Sequence, residues 1–156
     1  MTRRQWFQLI FGGWCFSHGQ GGAGTGHFRF SATERRTLAA LVETMLPADG
    51  ASPGANGQAM VSLIELRIAT DQTWLPVYRY GLKVLNAASL RESTHTFAVL
   101  SPDQRATFLE TLWQTTRDHR LLQFLDLVKQ DAITELFTTR RGLQWLGYRL
   151  NEVSGA

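Results

Sequence analysis

From residue 30 onward, apolar positions recur at helical spacing and are punctuated by strong start and stop signals. Leu38, Leu41, Val42, Met45 and Leu46 form a first stripe with the three-and-four spacing of a helix that buries one face. Ahead of it stands Phe30-Ser31-Ala32-Thr33-Glu34. A serine followed three residues later by glutamate is a capping box, because each side chain satisfies the other's free backbone N–H. Pro47 ends this helix, since it pushes the preceding residue out of the α region. Residues 47–57 hold three glycines and two prolines and read as a loop. A second helix is predicted from about Gln58 to Thr70, with Met60, Leu63, Ile64 and Ile68 on one side, and Asp71-Gln72-Thr73 breaks it. Pro76 suits the first turn of a third helix. There Tyr78, Leu82, Leu85 and Ala88 share a face that Val77, Val84 and Leu90 widen, and residues 91–96 read as a polar connection.

Ser101-Pro102-Asp103-Gln104 repeats the start chemistry, with serine as cap, proline in the first turn and glutamine closing the box. Phe108, Leu109, Leu112 and Trp113 follow. The last long helix is predicted from about Asp118 to Leu136. Its leucines lie on more than one face, the pattern of a helix that is central or meets a partner. Thr138 to Gly142 reads as a turn, and Leu143-Gln-Trp-Leu-Gly-Tyr148 as a compact aromatic coda. Strand alternation is missing throughout. The pattern therefore predicts an all-α fold, a single small domain of about five helices in an irregular bundle.

The first 23 residues have a different character. Arg3 and Arg4 precede an apolar run, Trp6 to Phe16, that contains no acid and leads into the glycine-rich stretch 19–26. A positive end, an apolar middle and a small-residue exit form the layout of an export signal. The arginine pair, with Trp6 and Phe7 at the apolar positions after it, resembles the twin-arginine motif of proteins exported already folded. The run falls short of the roughly 20 residues that span a bilayer. Cleavage after Ala23 fits the small residues there. The expected organisation is a signal segment over 1–23, a Gly-rich linker over 24–29, a helical domain over 30–150 and a tail over 151–156.

Composition narrows the chemistry. The net charge of +3 is no nucleic-acid footprint. Removing residues 1–23 takes away two arginines and no acid, leaving 14 basic against 13 acidic residues, with no basic stripe. Cys15 is the only cysteine, so the domain after the signal has no disulfide and no thiolate metal site. His18, His27, His95 and His119 form none of the paired metal-ligand spacings and read as surface histidines. Asp126, Asp131 and Glu135 lie near one another on the last helix. Without E-x-x-H pairs on two helices they are no diiron site, and they read as a solvated face or as partners for Lys129 and Arg140. No phosphate loop or nucleophile elbow is present. Twin-arginine export of a chain with no cofactor motif points to an escort, a small subunit whose signal serves a folded partner as well.

The segments Phe30-Ser-Ala-Thr-Glu-Arg35, Leu41-Val-Glu-Thr-Met-Leu-Pro-Ala-Asp49, Ser52-Pro-Gly-Ala55, Val61-Ser-Leu-Ile-Glu65, Gly81-Leu-Lys-Val-Leu-Asn86, Phe97-Ala-Val-Leu-Ser-Pro-Asp-Gln-Arg105, Leu136-Phe-Thr-Thr-Arg-Arg-Gly142 and Leu146-Gly-Tyr148 come in an order that resembles the gluconate 2-dehydrogenase subunit 3 family. Those are the small subunits of bacterial membrane-bound flavoprotein dehydrogenases of sugars and sugar acids. The resemblance implies a complex in which a large subunit carries FAD and oxidises the substrate, and a cytochrome c or similar acceptor takes the electrons. The small subunit itself would be non-catalytic and hold no cofactor. It would aid export, maturation and stability of the flavoprotein, in the periplasm at the inner membrane. This chain is shorter at its C-terminal end than many relatives. The expected contact surface joins the coda (Arg140, Arg141, Gly142, Trp145 and Tyr148) to the loop at Pro47, Asp49 and Pro53, since irregular segments carry function more often than packed helices. Two other readings compete. One is a stand-alone helical periplasmic binding or adaptor protein with Trp113 and Trp145 near a ligand pocket. The other is a self-sufficient oxidoreductase.

Overall fold

The computed structural model describes residues 28–49 and 52–148, all helix and connections, without a strand among them. Six α-helices follow one another: α1 (Ala32–Met45), α2 (Gly57–Thr70), α3 (Leu75–Ser93), α4 (Pro102–Thr115), α5 (His119–Thr138) and α6 (Arg140–Trp145). Short 3-10 turns at Gln72–Trp74 and Phe97–Val99 lead into α3 and α4. Both capping boxes form as the sequence predicts, Ser31 with Glu34 and Ser101 with Gln104. Among the described residues no helix is long and apolar enough to cross a membrane.

Helix α1 is the centre. Six consecutive residues, Thr37 to Val42, are buried, and α2, α3, α4, α5 and the 97–99 turn all pack on it. The apolar excess of α5 also has a structural use, because this helix meets α1, α2, α3 and α6. A bundle wrapped around α1 must satisfy any polar group that it encloses. Asn86 does this at one end: its Nδ2 donates to Thr37 Oγ1 at 3.0 Å and its Oδ1 accepts the Phe97 N–H at 3.2 Å. Two glycines set the closest helix contacts. A Cβ at Gly57 would stand 2.5 Å from the Ala39 carbonyl oxygen on α1, and one at Gly81 would stand 1.9 Å from the Phe124 ring on α5.

Four sequence expectations need correction. Gly57 opens α2 rather than closing the loop, with Asn56 as its cap accepting from Ala59 N–H at 3.0 Å. Residues 91–93 continue α3, which ends only at Thr94 in the left-handed region (φ 62°). Residues 138–142 are no simple turn: α5 runs through Thr138, and Thr139 caps the short helix α6. Leu63, placed on the core side by its spacing, is 47% exposed, and Val61 takes the core position instead.

Candidate partner-facing surface

Two ionic clusters fix α2 against its neighbours. The Glu65 carboxylate is buried. It accepts the Phe30 N–H at 2.9 Å and pairs with Arg35 Nη1 at 2.5 Å. This holds the segment that leads into α1, where Phe28 meets Phe30 edge-to-face with centroids 5.0 Å apart. Arg67 reaches Asp131 with two nitrogens, at 2.5 and 2.7 Å. Its fork also donates to Tyr78 Oη at 3.0 Å, and Tyr78 in turn donates to Asp131. Burial, followed by the Asp131 charge, pushes the Tyr78 hydroxyl far above its ordinary range, so it stays a donor. Asp131 is thus held by Arg67 and Tyr78, and is not part of a solvated acidic face. Lys129 lies over the Trp113 ring, 5.8 Å from its centroid. The sequence reading missed this cluster, because its members come from three helices and only folding brings them together.

Glu135, one turn beyond Asp131, is 5% exposed and also departs from the solvated-face reading. Burial raises its carboxyl, and a hydrogen bond from the Asn56 backbone opposes that rise. The same contact has an architectural effect. It ties the exit of the 47–56 loop to the last turns of α5, where the coda begins, so the two segments expected to form the contact surface share one end of the molecule. The loop folds back on itself: Ala55 N–H reaches Leu46 O at 2.9 Å, and Asp49 N–H reaches Ser52 O at 3.0 Å. Pro47 and Asp49 are exposed and Pro53 is half-buried.

The coda is built to present side chains. Thr139 Oγ1 accepts the Gly142 N–H at 3.2 Å and donates to Leu136 O at 3.1 Å. Gly142 itself is buried, and a Cβ there would stand 1.5 Å from Leu136 O. Its role is to let the chain turn tightly, which leaves contact to its neighbours. Beyond α6, Gly147 (φ +83°) N–H bonds Gln144 O at 2.9 Å and Tyr148 N–H bonds Leu143 O at 3.0 Å. This is the paired Schellman closure of a helix end. It leaves Trp145, Leu146 and Tyr148 outward at 46%, 44% and 60% exposure. Arg140 and Arg141 are exposed beside them. Tryptophan, tyrosine and arginine are the residues that dominate binding surfaces.

Two open clefts flank α2. One, of about 270 Å³, runs between the Phe28–Arg29 approach, Arg35 and the Ser62, Leu66 side of the helix. The other, of about 150 Å³, lies between Met60, Leu63 and Arg67 on α2 and Asp131, Thr134 and Thr138 on α5. Both are smaller than the roughly 300 Å³ at which small-molecule sites begin. Trp113 and Trp145, on which a ligand-pocket reading depends, line neither. Arg3, Arg4, Trp6 and Phe7 of the export reading lie outside the described residues.

The sequence profile of the family described as gluconate 2-dehydrogenase subunit 3 matches residues 32–155. The chain belongs to the gluconate 2-dehydrogenase subunit 3 family. As a member it is a small subunit of a dehydrogenase complex. No curated protein and no solved structure gives a match.

Proposed function

We propose that this subunit is non-catalytic and serves a large flavoprotein subunit, which carries FAD and oxidises a sugar or sugar acid. In this reading it aids the maturation and stability of that partner and brings it, already folded, to the periplasm. There the complex is held at the inner membrane and passes electrons to a cytochrome c or quinone acceptor. The observation that carries the reading is the family match over residues 32–155. Two features support it. The leader with Arg3 and Arg4 has the twin-arginine pattern, and the coda offers Trp145, Leu146 and Tyr148 to a partner. Arg140 and Arg141 add to this. They occupy the first positions of α6, the positive end of a helix, where cations are disfavoured by roughly 0.3–1 kcal/mol. Helix stability does not ask for Arg141 there, whereas contact with a carboxylate or carbonyl surface would.

The test is the double substitution Arg3→Lys and Arg4→Lys, which keeps the charge and removes the motif. Expressed with its large subunit, the variant is expected to leave the flavoprotein's dehydrogenase activity in the cytoplasmic fraction. Normal appearance of that activity in the periplasm would rule out the escort role.

A further inference from the structure

Helix α2 carries only two charged residues, and neighbouring elements hold both. Glu65 is clasped by Phe30 and Arg35, and Arg67 by Asp131 and Tyr78. What α2 turns outward is uncharged: Gln58, Ala59, Ser62, Leu63, Leu66 and Thr70. Leu63 is 47% exposed and Leu66 66%. The core does not need them, because Met60, Val61, Ile64 and Ile68 fill it from this helix. The two clefts lie on either side, one walled by Leu66 and the other by Leu63. The two leucines thus form a ridge between two troughs.

We propose that this ridge is a docking site for the large flavoprotein subunit, which straddles α2, packs apolar side chains on Leu63 and Leu66 and covers the clefts beside them. The proposal rests on the partner assigned above and adds a second surface to the coda. Three observations select this occupant. The first is charge: the ridge itself is uncharged, while Arg29, Arg35 and Glu65 line one cleft and Arg67, Asp131 and Glu135 the other, so the complementary surface is apolar at its centre and polar at its rim. The second is area. Fourteen residues at 1.5 Å each make a helix about 21 Å long and about 10 Å wide. Its outward strip is on the order of 200 Å², against the roughly 800 Å² per partner of a stable interface. Two copies meeting through α2 alone fall well short, while a larger partner reaches further. The third is continuity. Thr138 walls the second cleft and adjoins Thr139, where the coda starts, so ridge, cleft and coda can be covered by one body.

The experiment co-expresses the full chain, tagged, with its large subunit and reads flavin absorbance in the purified complex. Leu66→Asp is expected to lower recovered flavin about tenfold or more, the size of effect of a change at the centre of an interface. Leu66→Gln is expected to give a smaller loss in the same direction. Val99→Asp, equally exposed at 66% but outside both clefts, is expected to recover flavin like the parent chain. Thermal melts of each isolated chain by circular dichroism separate lost docking from lost folding. Equal flavin recovery by Leu66→Asp and the parent chain overturns the ridge and leaves the partner assignment standing. A parent chain that recovers no flavin overturns both. A dimer of the isolated chain that Leu66→Asp dissolves gives the ridge to a second copy and also overturns the proposal.

Discussion

Glu135 shows how a single side chain can hold two elements together at some cost. Its carboxyl is raised above the ordinary value of 4.5 by burial, with the Asn56 hydrogen bond opposing. A folded-state pKa above the unfolded one means that the folded protein binds the proton more tightly. This contribution is therefore greatest below the unfolded pKa and is lost as pH rises through the folded pKa. Glu135→Gln is expected to flatten that decline, so that the variant gains on the parent chain from about pH 4 upward. Urea unfolding midpoints across that range measure it, and identical pH slopes in the two proteins would refute it. Glu135 also marks what was legible at this scale. That Asp131 and Glu135 share a face follows from their spacing of four. Their partners do not follow, because Arg67 lies 64 positions from Asp131 and nothing local links the two. Two carboxylates on one helix look solvated until the fold places a guanidinium against one of them and α2's cap against the other.

At the scale of elements, the contact of α3 with α5 rests on Gly81. Replacing it with alanine would favour the isolated helix by up to about 1 kcal/mol. The new methyl, however, would fall 1.9 Å from the Phe124 ring, and overpacking of a filled core costs about 1–3 kcal/mol. Gly81→Ala is therefore expected to lower stability in a urea melt, and the added change Phe124→Leu to restore part of it. A variant as stable as the parent chain would show that the two helices can separate freely. The elements most legible in the sequence were those with chemical punctuation, the serine boxes at Ser31 and Ser101 and the stop at Pro47. Helix α6 was not legible, because Thr139-Arg140-Arg141-Gly142 carries turn residues and two cations at the wrong end of a helix. The one available signal was Thr139, whose hydroxyl caps Gly142. Leu63 misled because α2 is apolar on most of its circumference, so its period does not say which leucines face inward.

At the scale of the whole molecule, the proposed contact surfaces are one end of the bundle and one helix face, and stability and binding should separate there. Arg141→Glu places an acid at the positive end of α6, where it favours the helix. The isolated chain is therefore expected to melt no lower than the parent, while recovery of the large subunit falls about tenfold, a loss of roughly 1.4 kcal/mol. Unchanged co-purification would remove the coda from the interface. The fold class and the family resemblance were legible because they need only periodicity and ordered segments. The paired clefts and the ridge between them were not, since they depend on how α1 and α5 flank α2. The Glu65 clasp on Phe30 has a consequence of its own. It sets how far the chain can be trimmed from its N-terminal side. A protease that cuts after Ala23 leaves Phe28, Phe30 and the clasp intact, and the product keeps its seal. One that cuts beyond Phe30 removes an N–H donor from a buried carboxylate and a ring that is 4% exposed, opening the bundle beside α2. Digestion from the N-terminal side is therefore expected to stop by Phe28, and any shorter product to be degraded rather than accumulate.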